Sequence, residues 1–356
     1  GEGWRSVILV RMLQGGIMEL GEYLSAHVLT CLVPAFFIAG GIAALLSTAA
    51  VLKYFGPQAN KYLSYGVASV SGAILAVCSC TVLPLFAGIY KKGAGLGPAI
   101  AFLYSGPAIN ILAIVLTARA IGFKMGLARA LGAILFSLII GLIMAAFFAG
   151  EEAQKKQRAL NLAMFGGAAD DRPGWQLLIF FGLLVAILLF GTAKIPLWSK
   201  VAILISLITA VALTVTRWFR TGEFQAWMQE TWKYVRMIFP VLLVGVFIAG
   251  AIKVILPPAW ISRFVGGNSL GANLLASVFG ALMYFSTLTE VPIVKALTDL
   301  GMGQGPALAL LLAGPALSLP NMLAIRNIMG TKKTAAYVSL VVVMATLTGM
   351  LFGTIA

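Results

Sequence analysis

Long apolar blocks separated by short polar connections dominate this chain. Four of the blocks hold no charged residue at all: 28–52, 201–216, 237–251 and 335–356. About 20 apolar residues span a bilayer as a helix, and helix is the expected form because lipid cannot satisfy free backbone groups. A transmembrane β-barrel instead needs short segments of alternating polarity. The pattern therefore predicts an all-α, polytopic membrane protein.

The predicted helices follow a four, two and four arrangement. An amphipathic stretch at 1–22 precedes about ten apolar segments of spanning length. The first transmembrane set lies within 23–149 and the last within 237–356, while 150–236 holds a polar loop, a two-helix insert and a basic amphipathic link. The predicted segments are 26–52, 63–90, 97–118, 127–148, 175–192, 201–216, 237–256, 270–294, 306–325 and 335–355.

An internal repeat is the strongest organisational signal. Residues 93–108 (GAGLGPAIAFLYSGPA) recur as 301–316 (GMGQGPALALLLAGPA), an offset of 208 residues (301 minus 93). The same offset pairs Pro84 with Pro292. The pattern predicts two four-segment repeats, and such internal duplication is typical of secondary transporters. The repeats are parallel if all ten segments cross the membrane, and inverted if one segment in each repeat is re-entrant.

Proline and glycine interrupt the second and third segments of each repeat. Proline removes a helix hydrogen bond, and irregular backbone at membrane depth survives only inside protein or along a cavity. Interruptions at matching places therefore predict broken helices that meet at one central site. The residues at these interruptions are Pro84, Gly106, Pro107, Pro292, Gly314 and Pro315.

One carboxylate stands inside a predicted apolar segment. Of the 11 acidic residues, only Glu290 is embedded in this way. An ionisable residue inside the membrane is expensive and marks function by default, so we predict that Glu290 couples transport to protons. Sodium coupling, with oxygen ligands from Ser286 and Thr289, is one alternative. A structural carboxylate that pairs with a lysine or caps a half-helix is another.

The matching stretch of the first repeat carries two cysteines, Cys78 and Cys80. Soft sulfur ligands select soft metals and metalloids, so an unwound turn here would suit a soft solute. Packing by small polarisable side chains is the alternative. Two asparagines that follow the Gly-Pro interruptions either line the same site or join helices by hydrogen bonds. The candidate substrate-binding residues are Cys78, Ser79, Cys80, Thr81, Asn110, Ser286, Thr289 and Asn321.

Composition and charge narrow the class of function. The chain is 61% hydrophobic and 10% charged, whereas soluble domains carry about 25% charged residues. Its net charge is +14, but the 25 Lys and Arg residues stand singly or in pairs between apolar blocks. That distribution favours contact with anionic lipids over nucleic acid. The sequence holds no catalytic grouping or metal-ligand cluster. We therefore predict a multi-pass protein of the cell membrane with a small-molecule substrate, no enzyme activity, no cofactor and no metal.

The interrupted segments of the first repeat resemble a known family. Residues 78–84 (CSCTVLP), Gly97 and Pro98, and 105–110 (SGPAIN) are similar to the ArsP/YraQ-like predicted permeases. The resemblance covers both repeats, hence most of the chain. It implies an efflux permease for trivalent organoarsenicals such as methylarsenite, with Cys78 and Cys80 as candidate thiol ligands. A homodimer is a candidate assembly.

Three other interpretations stay open on the residues alone. The chain could carry another small solute, with the cysteines only packing. It could be a membrane thiol–disulfide protein, although a Cys-x-Cys pair in an apolar segment is poorly placed for a soluble redox partner. A passive channel is the third, although a single carboxylate in one repeat does not make a selectivity ring.

Overall fold

The computed structural model describes residues 2–46, 60–75, 79–154, 157, 173–193, 195–255, 264–283 and 290–356. Every regular element within these ranges is a helix, which confirms the all-α prediction for the described part of the chain. The elements up to residue 147 are α1 (Glu2–Tyr23), a π-helical segment (Leu24–Leu32), α2 (Val33–Leu45), α3 (Lys61–Leu75), α4 (Ser79–Lys91), α5 (Leu96–Ala108), α6 (Ile111–Ala120) and α7 (Phe123–Phe147). The later elements are α8 (Gly174–Thr192), α9 (Leu197–Trp218), α10 (Glu223–Ile255), α11 (Leu270–Leu282), α12 (Glu290–Asp299), α13 (Gln304–Leu317), α14 (Leu319–Met329) and α15 (Thr331–Ile355).

Several described helices are long and apolar enough to cross a membrane. Six qualify singly, and two bent pairs bring the number to eight if each pair is one span. The bend is 45° between α5 and α6 and 46° between α13 and α14. The predicted segments 63–90 and 270–294 correspond to α3 with α4 and to α11 with α12, and their junctions at 76–78 and 284–289 lie outside the described residues. The six single spans are Val28–Leu45, α7, α8, α9, Glu223–Ile252 and α15.

The predicted boundaries change in one place. The basic link at 217–236 and the following segment are mostly one helix, α10, which begins at Glu223 and continues through Pro240. No glycine or proline interrupts the chain from Glu223 to Pro240. The helix therefore has no reason to stop before the apolar segment begins.

The N-terminal helices pack lengthwise against α10. Near the C-terminal end of α10, a Cβ atom on Gly15 of α1 would lie 2.9 Å from the carbonyl oxygen of Gly250. Near the N-terminal end of α10, Trp227 Nε1 donates to the carbonyl oxygen of Phe37 in α2 at 2.8 Å. Because contact positions in α10 fall from 250 to 227 as those in the partner rise from 15 to 37, the two helical rods are antiparallel. The predicted amphipathic stretch is therefore a helix packed on the transmembrane bundle.

The interrupted segments bend next to, rather than at, their prolines. Pro107 and Pro315 lie inside helices, and the bends follow at the ends of α5 and α13. Pro292 is the third residue of α12, in a first turn where a missing N–H is tolerated. Pro84 lies inside α4 and does not end that helix, which corrects the predicted break at this residue. Only one hydrogen bond, to the carbonyl of Cys80, is lost there.

Helices α5 and α13 form the centre of the bundle. Every residue of α5 is buried, and so is every residue of α13 after Gln304. The insert helices α8 and α9 are peripheral, with Leu178 75% and Trp198 87% exposed. Large apolar side chains directed outward in this way are expected where a helix faces lipid. Any polar group held between α5, α13 and their neighbours therefore sits in the interior of the protein.

Glycines let the central helices approach their neighbours closely. A Cβ atom on Gly141 of α7 would lie 2.7 Å from the carbonyl oxygen of Gly97 in α5. A Cβ atom on Gly349 of α15 would lie 2.7 Å from the carbonyl oxygen of Gly305 in α13. Small residues at such contacts are how helices pack tightly in membranes. Both pairs therefore fix the separation of a central helix from the long helix beside it.

Candidate functional site

A buried ion pair joins two helices that lie far apart in the sequence. Arg129, in the second turn of α7, places Nη2 3.3 Å from Oε2 of Glu290, the first residue of α12. The two side chains are 0% and 1% exposed. Charges are almost never buried this completely unless they are paired, and inside a membrane protein they mark function by default. We take this ion pair as the core of the candidate site.

The pair is held by a short chain of contacts on its arginine side. Arg129 Nη1 donates to Thr117 Oγ1 at 3.0 Å, and Thr117 Oγ1 donates to the carbonyl oxygen of Ala113 at 2.7 Å. On the carboxylate side, a Cβ atom on Gly314 would lie 2.4 Å from Glu290 Oε1. Gly314, predicted as part of a helix interruption, thus also leaves the room that the carboxylate occupies.

Some buried polar atoms of the pair and of the tyrosines linked to it have no hydrogen-bond partner among the described residues. Arg129 Nε, Glu290 Oε1 and the hydroxyl of Tyr337 have no hydrogen-bond partner among the described residues. The phenol of Tyr104 interacts electrostatically with Arg129, Glu290 and Tyr337, and its hydroxyl donates to the carbonyl oxygen of Leu312 at 3.0 Å. Unsatisfied buried groups are costly and call for an explanation. Arg129, Glu290, Tyr104 and Tyr337 together are called the central polar cluster below.

The predicted site residues are only partly described. Glu290 is in the central polar cluster, as the first residue of α12. Thr81 in α4 and Asn321 in α14 are buried, and Asn110 Oδ1 accepts a hydrogen bond from the backbone N–H of Ala113 at 3.3 Å, at the start of α6. Ser79 and Cys80 begin α4, but their side chains are not described. Cys78, Ser286 and Thr289 lie outside the described residues. The predicted thiol and oxygen ligands therefore stay predictions.

The sequence prediction missed Arg129. This residue is the third of the predicted segment 127–148, so it stands inside a predicted apolar block. The prediction rested on an embedded carboxylate, whereas the cost of burying an ion applies equally to a guanidinium. The predicted structural alternative for Glu290, a lysine partner, had the right kind of contact but the wrong residue.

A second ionic contact lies at one end of the bundle. Lys333, near the start of α15, places Nζ 2.9 Å from Oε2 of Glu151, which follows the end of α7. The same ammonium donates to the hydroxyl of Tyr90 at 3.2 Å and lies over the ring of Phe148, 5.6 Å from its centroid. The hydrogen bond from Lys333 lowers the pKa of the exposed Glu151 carboxyl. Because the start of α15 meets the end of α7, these two contacting helices run antiparallel.

An apolar cavity lies elsewhere, between the insert and the N-terminal helices. Its volume is about 450 Å³, and it holds none of the predicted site residues. Its lining is almost wholly apolar, so it suits an apolar group better than an ion. The lining residues are Leu29, Thr30, Val33, Pro34, Phe37, Leu184, Ile187, Gly191, Leu204, Ile208, Val211 and Trp227.

Comparison with known proteins supplies the family. A family model described as a predicted permease, ArsP_1, matches residues 14–354. The chain belongs to the ArsP_1 permease family. A UPF0718 protein of Methanocaldococcus jannaschii is 47% identical over 346 residues, which cover 94% of each chain. The UPF0718 protein YraQ of Escherichia coli is 24% identical over 254 residues, covering 70% of this chain and 56% of that protein. No solved structure matches.

Membership in ArsP_1 confirms the predicted family resemblance. Together with six described helices of spanning length, it makes the chain a multi-pass membrane permease of the cell membrane. The ion pair of the central polar cluster joins the long helix α7 to the short helix α12 in the buried core of the molecule.

Proposed function

We propose that this chain is a secondary permease that exports trivalent organoarsenicals, or a similar soft thiol-reactive solute, with proton coupling through Glu290. The observation that carries the proposal is the buried contact between Arg129 and Glu290. These residues belong to different sequence repeats, so the ion pair bridges the two halves of the molecule. Transport by alternating access requires these halves to move against each other.

The ion pair suits a coupling role for an energetic reason. Burying two charges is expensive, and the attraction between them repays the expense only while the pair is intact. A proton on the Glu290 carboxylate removes one of the charges and ends the ion pair. Proton binding is thereby tied to the contact between the halves, which is what a proton-driven permease needs.

The proposal includes two repeats of inverted orientation. Helices α7 and α15 begin 208 residues apart (331 minus 123) and end 208 apart (355 minus 147). The close contacts Gly97 with Gly141 and Gly305 with Gly349 obey the same offset. Tyr104 donates to the carbonyl of Leu312, again 208 residues away, as expected where equivalent helices meet at a twofold axis.

Orientation follows from which helix ends meet. Helices α7 and α15 are antiparallel, and so are α2 and α10, although each pair occupies equivalent places in the two repeats. Equivalent helices that run in opposite directions are the signature of inverted repeats. The chain order permits this only if one interrupted segment in each repeat crosses the membrane and the other returns to its starting side.

The substrate part of the proposal rests on Cys78 and Cys80. Cys80 is the second residue of α4, at the N-terminal end of a buried helix. Thiolate is a good ligand for a soft metalloid, and the family resemblance favours a trivalent arsenical. A permease for another small solute, with packing cysteines, is the competing proposal.

Uptake into inverted vesicles tests the proposal. Vesicles containing the parent should accumulate methylarsenite when a pH gradient is imposed, and Cys78→Ser with Cys80→Ser should abolish accumulation. Glu290→Gln should bind the substrate but lose the pH-driven component, because the amide keeps the shape and cannot ionise. A double serine variant that transports like the parent refutes thiol ligation. A Glu290→Gln variant with unchanged pH dependence refutes proton coupling through this residue.

A further inference from the structure

The contact between Arg129 and Glu290 leaves much of the guanidinium unused. Arginine presents five N–H donors in a planar fork that can bind a carboxylate through two parallel hydrogen bonds. Here one hydrogen bond, at 3.3 Å, joins Nη2 to Oε2, and a second, from Nη1, goes to Thr117. Nε has no partner among the described residues, and neither does Glu290 Oε1. Among the described residues, the two side chains therefore form fewer hydrogen bonds than they can make.

The two members of the pair differ in what a proton does to them. An arginine stays charged in a protein, whereas a carboxylate can be neutralised. When Glu290 takes up a proton, Arg129 keeps its charge inside the bundle and loses its one ionic partner among the described residues. A buried charge left alone in this way is strongly destabilising. The site can then restore neutrality by accepting an anion from solution.

We propose that Arg129 is an anion-binding group, and that a small monovalent oxyanion or carboxylate replaces the Glu290 carboxylate on its guanidinium when Glu290 is protonated. One proton and one anion enter together, so the charge of the site does not change. The inference rests on the proposed coupling role of Glu290 and does not depend on an arsenical substrate.

The described groups around Glu290 leave its carboxylate, paired with Arg129, as the charge that a change of pH would affect. Of the helices packed against α12, α13 carries no titratable residue, and the arginine of α6, Arg119, is exposed. Tyr104 of α5 is the other titratable side chain that faces Glu290 among the described residues. On α12 itself, Lys295 and Asp299 pair with each other on its exposed side. A pH dependence of anion binding at this place therefore reflects protonation of Glu290 beside Arg129.

Methanesulfonate is a suitable probe, because it stays monoanionic at every pH of interest, and dimethyl sulfone is its neutral isostere. Binding is measured as the rise in unfolding temperature of the purified full-length protein between pH 5.5 and 9.5, at constant ionic strength held with bulky gluconate. The apparent affinity of the parent for methanesulfonate should fall about tenfold per pH unit once Glu290 is ionised, because one proton binds with each anion. Dimethyl sulfone should have no effect.

The variants isolate the two residues. Glu290→Gln should bind methanesulfonate at least as tightly as the parent at pH 5.5, without pH dependence. The double variant Arg129→Gln with Glu290→Gln, which leaves no unpaired charge and should fold, should not bind it. Arg119→Gln, which removes an exposed arginine from α6, should behave like the parent.

Three results would overturn the inference: pH-independent binding by the parent, no binding by Glu290→Gln, or equal binding by Glu290→Gln and the double variant. The proposed arsenical export is tested separately by vesicle uptake of methylarsenite. Anion binding without methylarsenite transport would refute the substrate proposal and support this inference. Methylarsenite transport without anion binding would do the reverse.

Discussion

Where the first repeat carries Arg129, the second carries Tyr337, and where the second carries Glu290, the first carries Val82. The surrounding helices agree far better, since α7 and α15 have matching bounds and each has a matching glycine contact with a central helix. Helix packing needs only small residues at a few places, whereas an ion pair needs one cation and one anion. Two identical halves would place like charges near each other. The residues of the ion pair therefore have to differ between the repeats, although the helices that hold them match.

The largest expected effect comes from breaking the ion pair on one side. Arg129→Gln should destabilise the protein by about 3–5 kcal/mol, because Glu290 is then a buried charge without a partner. Adding Glu290→Gln should recover most of the loss. Denaturant unfolding of the purified protein measures both. The equivalent substitution in the other repeat, Tyr337→Phe, should change stability by less than about 1 kcal/mol, because its hydroxyl has no partner among the described residues.

If Arg129→Gln is as stable as the double variant, the two charges do not depend on each other in the folded protein. The two repeats would then differ in sequence at this position without differing in its contribution to the free energy of unfolding. If Tyr337→Phe is strongly destabilising, the tyrosine hydroxyl has a partner, and both repeats carry a polar contact at this position.

The glycine contacts should respond alike in both repeats. Gly141→Ala and Gly349→Ala each place a Cβ atom 2.7 Å from a backbone oxygen, so each should cost about 1–3 kcal/mol of unfolding free energy. Gly182→Ala in α8 is the matched control, because its Cβ would meet nothing within 4 Å. Unfolding measurements on the three variants compare them directly. A loss of unfolding free energy in only one of the two variants would show that the helix contacts of the two repeats are not equivalent.

Gly314→Ala should separate stability from function. The new Cβ atom would approach Glu290 Oε1 within 2.4 Å, but the end of a side chain can shift, so we expect a loss of only about 1 kcal/mol. The displaced carboxylate would then meet Arg129 in a different geometry. We expect pH-driven transport to fall much more than the unfolding free energy. Unchanged transport in reconstituted vesicles would mean that the position of this carboxylate is not critical.

The smallest effect belongs to the surface contact of Glu151 with Lys333. The ammonium lowers the pKa of this carboxyl, so its stabilising contribution is complete above the ordinary value of about 4.3 and is lost as the pH falls through the lowered pKa. Glu151→Gln should therefore lower the unfolding temperature slightly at pH 6, and the difference from the parent should vanish in stronger acid. The equivalent of Lys333 in the first repeat is Met125, so no matching titration is expected there. Identical unfolding at pH 6 would show that the contact adds nothing.

The sequence was a good guide to the helices and to one half of the ion pair. Apolar blocks predict spans because a bilayer leaves the backbone no other choice, and Glu290 stands out because charge is rare there. The partner of Glu290 could not be derived in this way, because 161 residues separate it from Arg129 and only folding brings them together. Pro84 was misleading because a helix tolerates one missing hydrogen bond close to its start.

The role of Gly314 could not be read from the chain either. In sequence it is part of a Gly-Pro interruption, which indicates a bend. In the structure the absence of its Cβ atom also makes room for the Glu290 carboxylate. The sequence alone does not distinguish a glycine that permits a bend from one that leaves room for a side chain. Only the positions of the neighbouring side chains separate these two roles.

The opposite directions of α7 and α15 bear on how such a chain could arise from a shorter one. A tandem gene fusion inverts the second copy when each copy crosses the membrane an odd number of times. In the proposed arrangement of inverted repeats, helices α8 and α9 add two crossings, which return the chain to the side it left and keep the inversion. Deleting both should therefore preserve the orientation of everything after them. Deleting one should reverse it, so that the start of α15 could no longer meet the end of α7.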